Sequence, residues 1–140
     1  MHEIIFTLPI FGSVKTEKQI VGSRGEEEAC SWLTGQGHRI LRRNWRAGHL
    51  ELDIITIEGN ILHVIEVKTR SADAPVPPEV NVDSKKRQRM VAAAKAFLNS
   101  DGRAALPPGL EIWLDVLTVV FEEPEPRLEY FPQAIIPIYV

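Results

Sequence analysis

Two runs rich in β-branched and aliphatic residues, Leu50–Ile57 and Ile61–Thr69, flank the short link Glu58-Gly59-Asn60. Gly-Asn is a favoured two-residue hairpin turn, because glycine readily takes the positive φ that such turns require. A hairpin closed there fixes the register: Asp53 falls directly opposite Glu66, and Glu51 opposite Lys68. Opposed side chains have Cβ atoms about 4.5–5.5 Å apart, and alternation along each strand sends all four charged groups to one face. That face continues through Ile55 and Ile57, with Val64 and Leu62 across from them. The other face is expected to carry Leu52, Ile54, Ile65 and Val67. Two apolar faces mark a central hairpin covered on both sides. The charges therefore lie at one end of a half-buried surface.

The rest of the chain supplies the covering helices. Thr16-Glu17-Lys18-Gln19 is a capping box, and the helix it opens is expected to reach Thr34, with Ala29, Trp32 and Leu33 inward and Gly35 and Gly37 ending it. A strand is expected over His38–Trp45. Ala72–Pro78, broken by Pro75, Pro77 and Pro78, is a loop. Asp83 can cap a second helix, Ser84–Asn99, in which Met90, Val91, Ala94, Phe97 and Leu98 follow the 3.6-residue period. Pro107-Pro108-Gly109 separates it from a strand over Glu111–Phe121, and the acidic turn Glu122–Pro126 precedes a short last strand, Arg127–Phe131. The order α-β-β-β-α-β-β gives a single α/β domain: a mixed sheet with a central antiparallel meander, flanked by helices. Its expected bounds are residues 16–133, with an extension over 1–15 and a tail over 134–140.

With 140 residues the chain can bury a core without staples. The net charge of −3 gives no global basic field, so any nucleic-acid contact must come from local patches. Cys30 is alone, which excludes an intramolecular disulfide and a multi-cysteine zinc site. The four histidines (His2, His38, His49, His63) are scattered, with no pair at helical metal-ligand spacing. The first residues have no basic lead, and no apolar run approaches the roughly 20 residues of a membrane span. A cytoplasmic protein without membrane contact is expected.

Two carboxylates held side by side in partial burial repel each other, unless one keeps its proton or a cation joins them. A divalent ion with hard oxygen preference resolves the conflict, and Mg²⁺ commonly takes one or two carboxylates plus phosphate and water. Lys68, beside Asp53 and Glu66, can orient an attacking water or offset phosphate charge. That is the chemistry of metal-assisted phosphodiester hydrolysis. The plainer alternative is a cross-strand Glu51–Lys68 ion pair with Asp53 merely nearby. The register, the second carboxylate and the apolar remainder of the face weigh against it.

An Asp followed across a hairpin by Glu-x-Lys resembles the PD-(D/E)xK nuclease superfamily, which includes restriction endonucleases and archaeal-type Holliday-junction resolvases. A closer resemblance is carried by Gly22-Ser23-Arg24-Gly25-Glu26, Arg43-Asn44-Trp45-Arg46, Glu51-Leu52-Asp53-Ile54-Ile55, Val64–Arg70 and Leu114-Asp115-Val116, in that order. Together these are similar to the YraN-like bacterial family, whose fold is restriction-endonuclease-like. The likeness covers about residues 20–133. It implies Asp53 and Glu66 as metal ligands and Lys68 as catalytic lysine. It further implies Glu51 as an additional site acid, Glu26 as the first-helix acid and Lys86 as a recurrent basic position. The chain departs from the family in having Leu50 where Gly is usual, and Trp113-Leu114-Asp115 where Arg-Phe-Asp is usual.

Arg39, Arg42, Arg43 and Arg46 form one basic cluster, with Trp45 among them as a candidate base-stacking ring; Lys85, Lys86, Arg87 and Arg89 form another. Arg42, Arg43, Arg46, Arg70, Lys86 and Arg89 are the candidate nucleic-acid contacts. Basic runs also protect strand edges and solvate helix faces, and tryptophans are more often core than platform. The expected function is a Mg²⁺- or Mn²⁺-dependent DNA endonuclease acting on branched or single-stranded forms. The alternative is a non-catalytic nucleic-acid-binding or adaptor module. A resolvase role would call for a homodimer, since two symmetric cuts need two sites.

Overall fold

Thr16 and Gln19 close the capping box as their spacing dictates: Thr16 Oγ1 accepts the Gln19 amide at 3.1 Å, and Gln19 Oε1 accepts the Thr16 amide at 2.8 Å. The computed structural model describes residues 16–73, 84–100 and 105–135. The expected extension over 1–15, most of the proline loop and the Asp83 cap lie outside them. Helix α1 runs Glu17–Gly35, and Gly37 (φ 97°) turns the chain into β1, Arg39–Ala47. Strands β2 (Leu50–Glu58) and β3 (Ile61–Ser71) follow, then α2 (Ser84–Leu98), β4 (Glu111–Phe121) and β5 (Arg127–Ile135). The element order is the expected one.

The sheet order is β1-β2-β3-β4-β5, with β3 and β4 parallel and every other neighbouring pair antiparallel. Gly59 sits at φ 60° in the β2–β3 turn, and the ladder runs from Glu58↔Ile61 to Ile54↔Ile65, the register expected from the sequence. One core lies on the α2 side, where Ile55, Leu62, Val64, Leu114 and Val116 meet Met90, Ala93, Ala94 and Phe97. The other lies on the α1 side, where Ile54, Ile65, Leu117 and Val119 meet Ala29 and Leu33. Each apolar face of the central strands thus receives one helix.

Two expectations need correction. Leu52 does not join Ile54: it is buried with Ile55 on the α2 side, so the alternation of β2 breaks at Asp53. Strand β5 runs past Phe131 to Ile135, which pairs with Leu114 after a shift in register and is itself buried.

Helix α1 approaches β3 closely at Gly25, where an added Cβ would stand 1.9 Å from Thr69 Cγ2. A β-branched threonine in a strand has little rotamer freedom with which to yield. Gly25→Ala is therefore expected to destabilise the fold by about 1–3 kcal/mol, despite the better helix propensity of alanine. Adding Thr69→Ala should restore most of that loss in thermal melts. Equal, additive losses in the double mutant would refute the contact.

Candidate active site

The break at Asp53 creates the site. Beyond Ile54↔Ile65, the Val67 amide donates to Asp53 Oδ2 at 2.9 Å. A side-chain carboxylate thus takes a hydrogen bond that a strand carbonyl would otherwise accept. Leu52 turns toward α2, and a cleft of about 220 Å³ opens between the end of β2, β3 and the first turns of α2. Its lining includes Glu51, Asp53 and Glu66 on the strands, and Lys86, Arg89 and Met90 on the helix. His49 and Leu50, from the β1–β2 turn and the start of β2, close the rim.

The electrostatics follow from this crowding. Burial, then the neighbouring Glu66 carboxylate, pushes Asp53 up to about 7; the Val67 amide opposes the rise, while Glu26 and Glu51 add to it. Near neutral pH Asp53 is therefore about half protonated. Lys86 forms an ion pair with Glu66 Oε2, so an ammonium already stands where two carboxylates converge. Glu26, on α1, is raised by its own burial; Asn44 and Arg43 pull it down, while Glu51 and Glu66 push it up. Four acids thus feel one another at this end of the sheet.

Asn44 reaches Glu26 from a left-handed backbone conformation (φ 53°), which asparagine tolerates better than most residues. Sequence reasoning assigned no role to Asn44 or to His49. Lys68 lies on β3 two positions beyond Glu66, half-buried, in register with Thr118 of β4. It is not among the residues that line the cleft. The β2–β3 ladder stops at Ile54↔Ile65 and does not reach the expected Glu51–Lys68 pair; Glu51 instead pairs with Arg46 of β1, which holds it at 3.3 Å.

The basic clusters fare unequally. Lys86 and Arg89 reach the cleft, whereas Arg43 is bound to Glu27 at 2.5 Å and Arg46 to Glu51. Arg42 donates to the Leu41 carbonyl at 2.8 Å, and Arg70 sits half-buried on β3. Trp45 is not a free stacking ring: it packs against the α2-side core, edge-on to Phe97 with ring centres 5.4 Å apart.

Sequence reasoning also passed over a second polar cluster. At the far end of the hairpin, His63 Nδ1 lies 2.6 Å from Asp115 Oδ2 and its Nε2 lies 3.0 Å from Glu58 Oε1. His38 Nε2 lies 3.6 Å from the same Glu58 oxygen, and its Nδ1 is 2.6 Å from Thr56 Oγ1. Burial and the neighbouring His63 push His38 below the usual imidazole range. Asp115, fully buried, also accepts from the Tyr130 hydroxyl and from the Gln133 amide, the latter at 2.9 Å.

Residues 25–119 match the uncharacterised protein family UPF0102. A member from Anaeromyxobacter dehalogenans is 40% identical over 119 residues, covering 84% of this chain and 84% of that protein. The chain belongs to this family. Another UPF0102 protein, from Bacteroides thetaiotaomicron, is 36% identical over 121 residues, covering 86% of this chain and 96% of its own. Among solved structures, the Holliday junction resolvase Hjc of Archaeoglobus fulgidus is similar over 80% of this chain and 72% of its own, with 22% identity and a TM-score of 0.45. The motifs that gave the YraN-like resemblance fall at two places in this UPF0102 member. Glu26, Asn44, Glu51, Asp53 and Glu66 gather at the cleft end of the sheet, and Asp115 anchors the histidine cluster at the other. Among the described residues, no helix is long and apolar enough to cross a membrane.

Proposed function

We propose that this protein is a cytoplasmic, Mg²⁺- or Mn²⁺-dependent nuclease that hydrolyses phosphodiester bonds in branched or single-stranded DNA. The observation that carries the reading is Asp53, pushed up by burial and by the neighbouring Glu66 carboxylate, in a cleft with Lys86 and Arg89 on its helical wall. The donor set fits a hard divalent cation: two carboxylates, one anchored through only one oxygen by the Val67 amide, with Glu26 and Glu51 adding negative charge. Asp53 and Glu66 would hold the ion, which would supply Lewis-acid stabilisation of charge developing on the phosphate.

The chain's own residues do the rest. Lys86 would leave Glu66 as the ion enters and move its charge onto the incoming phosphate. Arg89, on the same helix wall, would hold a second phosphate oxygen. Lys68, on the same strand as Glu66, would orient the attacking water. The Asp53 proton must depart before a cation binds, so activity should rise with pH through about 7. Two-fold cutting of a four-way junction would need a second copy of the chain.

One observation favours the non-catalytic reading. Lys86, Arg43 and Arg46 are all committed to carboxylates of the protein itself, which leaves a modest basic surface. The deciding experiment is cleavage of linear, flapped and four-way DNA with Mg²⁺ or Mn²⁺. Metal-dependent cleavage is expected, and Lys68→Ala should lower it by about 100-fold or more while keeping the metal-induced rise in melting temperature. DNA binding without cleavage of any substrate would establish the adaptor reading instead.

A further inference from the structure

The histidine cluster at the hairpin end is built like a metal site of a different kind. His38 enters from the α1–β1 junction, Glu58 from the last position of β2 and His63 from β3. Their ligand atoms, one from each residue, all lie within 4.8 Å of one another. Two of those separations, 3.0 and 3.6 Å to the Glu58 oxygen, bracket the edge of a tetrahedron around Zn²⁺, roughly 3.3 Å for bonds of about 2.0–2.1 Å.

The partners behind the rings point the same way. Asp115 Oδ2, 2.6 Å from His63 Nδ1, can accept from that nitrogen, which turns Nε2 toward Glu58. Asp115 is itself held by the Tyr130 hydroxyl and the Gln133 amide. Thr56 can likewise accept from His38 Nδ1. Carboxylate or hydroxyl behind an imidazole is the arrangement that orients metal-bound histidines. The two rings, 4.4 Å apart, thus turn both Nε2 atoms toward one carboxylate oxygen. A single proton satisfies one ring, whereas a cation satisfies both rings and the carboxylate.

We infer that His38, Glu58 and His63 form a binding site for Zn²⁺ or a similar transition-metal ion, with a fourth position open to solvent. Two imidazoles and one carboxylate suit such ions and not Mg²⁺, which prefers oxygen. The openness follows from burial: the histidine side chains are 3% and 1% exposed, while that of Glu58 is 44% exposed. The site is separate from the acidic cleft. Thr56, His63 and Asp115 each stand two positions from an α1-side core residue, Ile54, Ile65 and Leu117, and so share that face, whereas the cleft opens toward α2. Glu58 also stands five residues along β2 from Asp53, roughly 17 Å at strand rise.

Chelator-treated full chain titrated with Zn²⁺ and Co²⁺ tests this. One equivalent should bind, with the intense visible absorption of four-coordinate Co²⁺ and a rise in melting temperature, and excess Mg²⁺ should not compete. Glu58→Ala removes an exposed carboxylate and should leave the fold intact while weakening binding by at least about tenfold. His38→Gln should do the same, and Asp53→Asn should leave affinity and spectrum unchanged. Absence of saturable binding, or equal affinity in Glu58→Ala and the parent, overturns the site. Loss of binding in Asp53→Asn would place the ion in the acidic cleft and overturn it equally.

Discussion

Asp53→Asn is expected to make the metal-free protein more stable at pH 8 and to abolish both Mn²⁺ binding in the cleft and any cleavage. The unfolded carboxyl titrates near 3.8, and the folded one is pushed to about 7. Between those values the folded state holds the extra proton, so stability falls as pH rises through this window and stays low above it. A shift of that size corresponds to at most about 4 kcal/mol, less whatever Glu66 and Lys86 relax when Asp53 ionises. Asparagine keeps the shape, and its carbonyl oxygen can still accept from the Val67 amide. A rise of about 5 °C in melting temperature is therefore expected at pH 8, shrinking to nothing near pH 4. Mn²⁺ should stabilise the parent by about 2.7 kcal/mol at a hundred times its dissociation constant and leave the asparagine variant unmoved in the cleft. If the groups are only a structural ion-pair cluster, the variant will be less stable at every pH and its metal-induced shift will equal the parent's.

What the sequence made legible was local. Gly59-Asn60 set the hairpin register, Thr16 and Gln19 set the helix start, and the period of Met90, Ala94 and Phe97 set the buried face of α2. Leu52 was misplaced because alternation assumes an intact ladder, and the Asp53 carboxylate interrupts it by capturing the Val67 amide. The extra length of β5 depends on the shifted pairing of Ile135 with Leu114, which no local pattern announces past Pro132. The pairing of Lys86 with Glu66 joins α2 to β3, and no local pattern announces it; the family resemblance marked Lys86 only as a recurrent basic position. His38 and His63 meet because the fold sets the start of β1 beside the hairpin end. A signal existed nonetheless: His63 and Asp115 each interrupt an apolar strand on a face that must be buried, and buried polar groups must find partners.

That last rule yields the second large effect. Asp115→Ala is expected to cost about 3–5 kcal/mol, because it leaves the Tyr130 hydroxyl, the Gln133 amide and His63 Nδ1 facing an empty, buried space. Against a typical margin of about 5–15 kcal/mol, such a loss removes much of the stability of a domain this size. The melting temperature should fall by about 10 °C. Asp115→Asn keeps a carbonyl acceptor but turns an amide donor toward one of the same donors, and should fall between the parent and alanine. Glu58→Ala at the solvent edge of the same cluster should cost no more than about 1 kcal/mol in the metal-free protein, since its carboxylate stays hydrated. The contrast separates the buried anchor from the exposed ligand. The same loss in Asp115→Ala and Glu58→Ala would mean that the cluster acts as one ion-pair network centred on Glu58, with no special role for the buried aspartate.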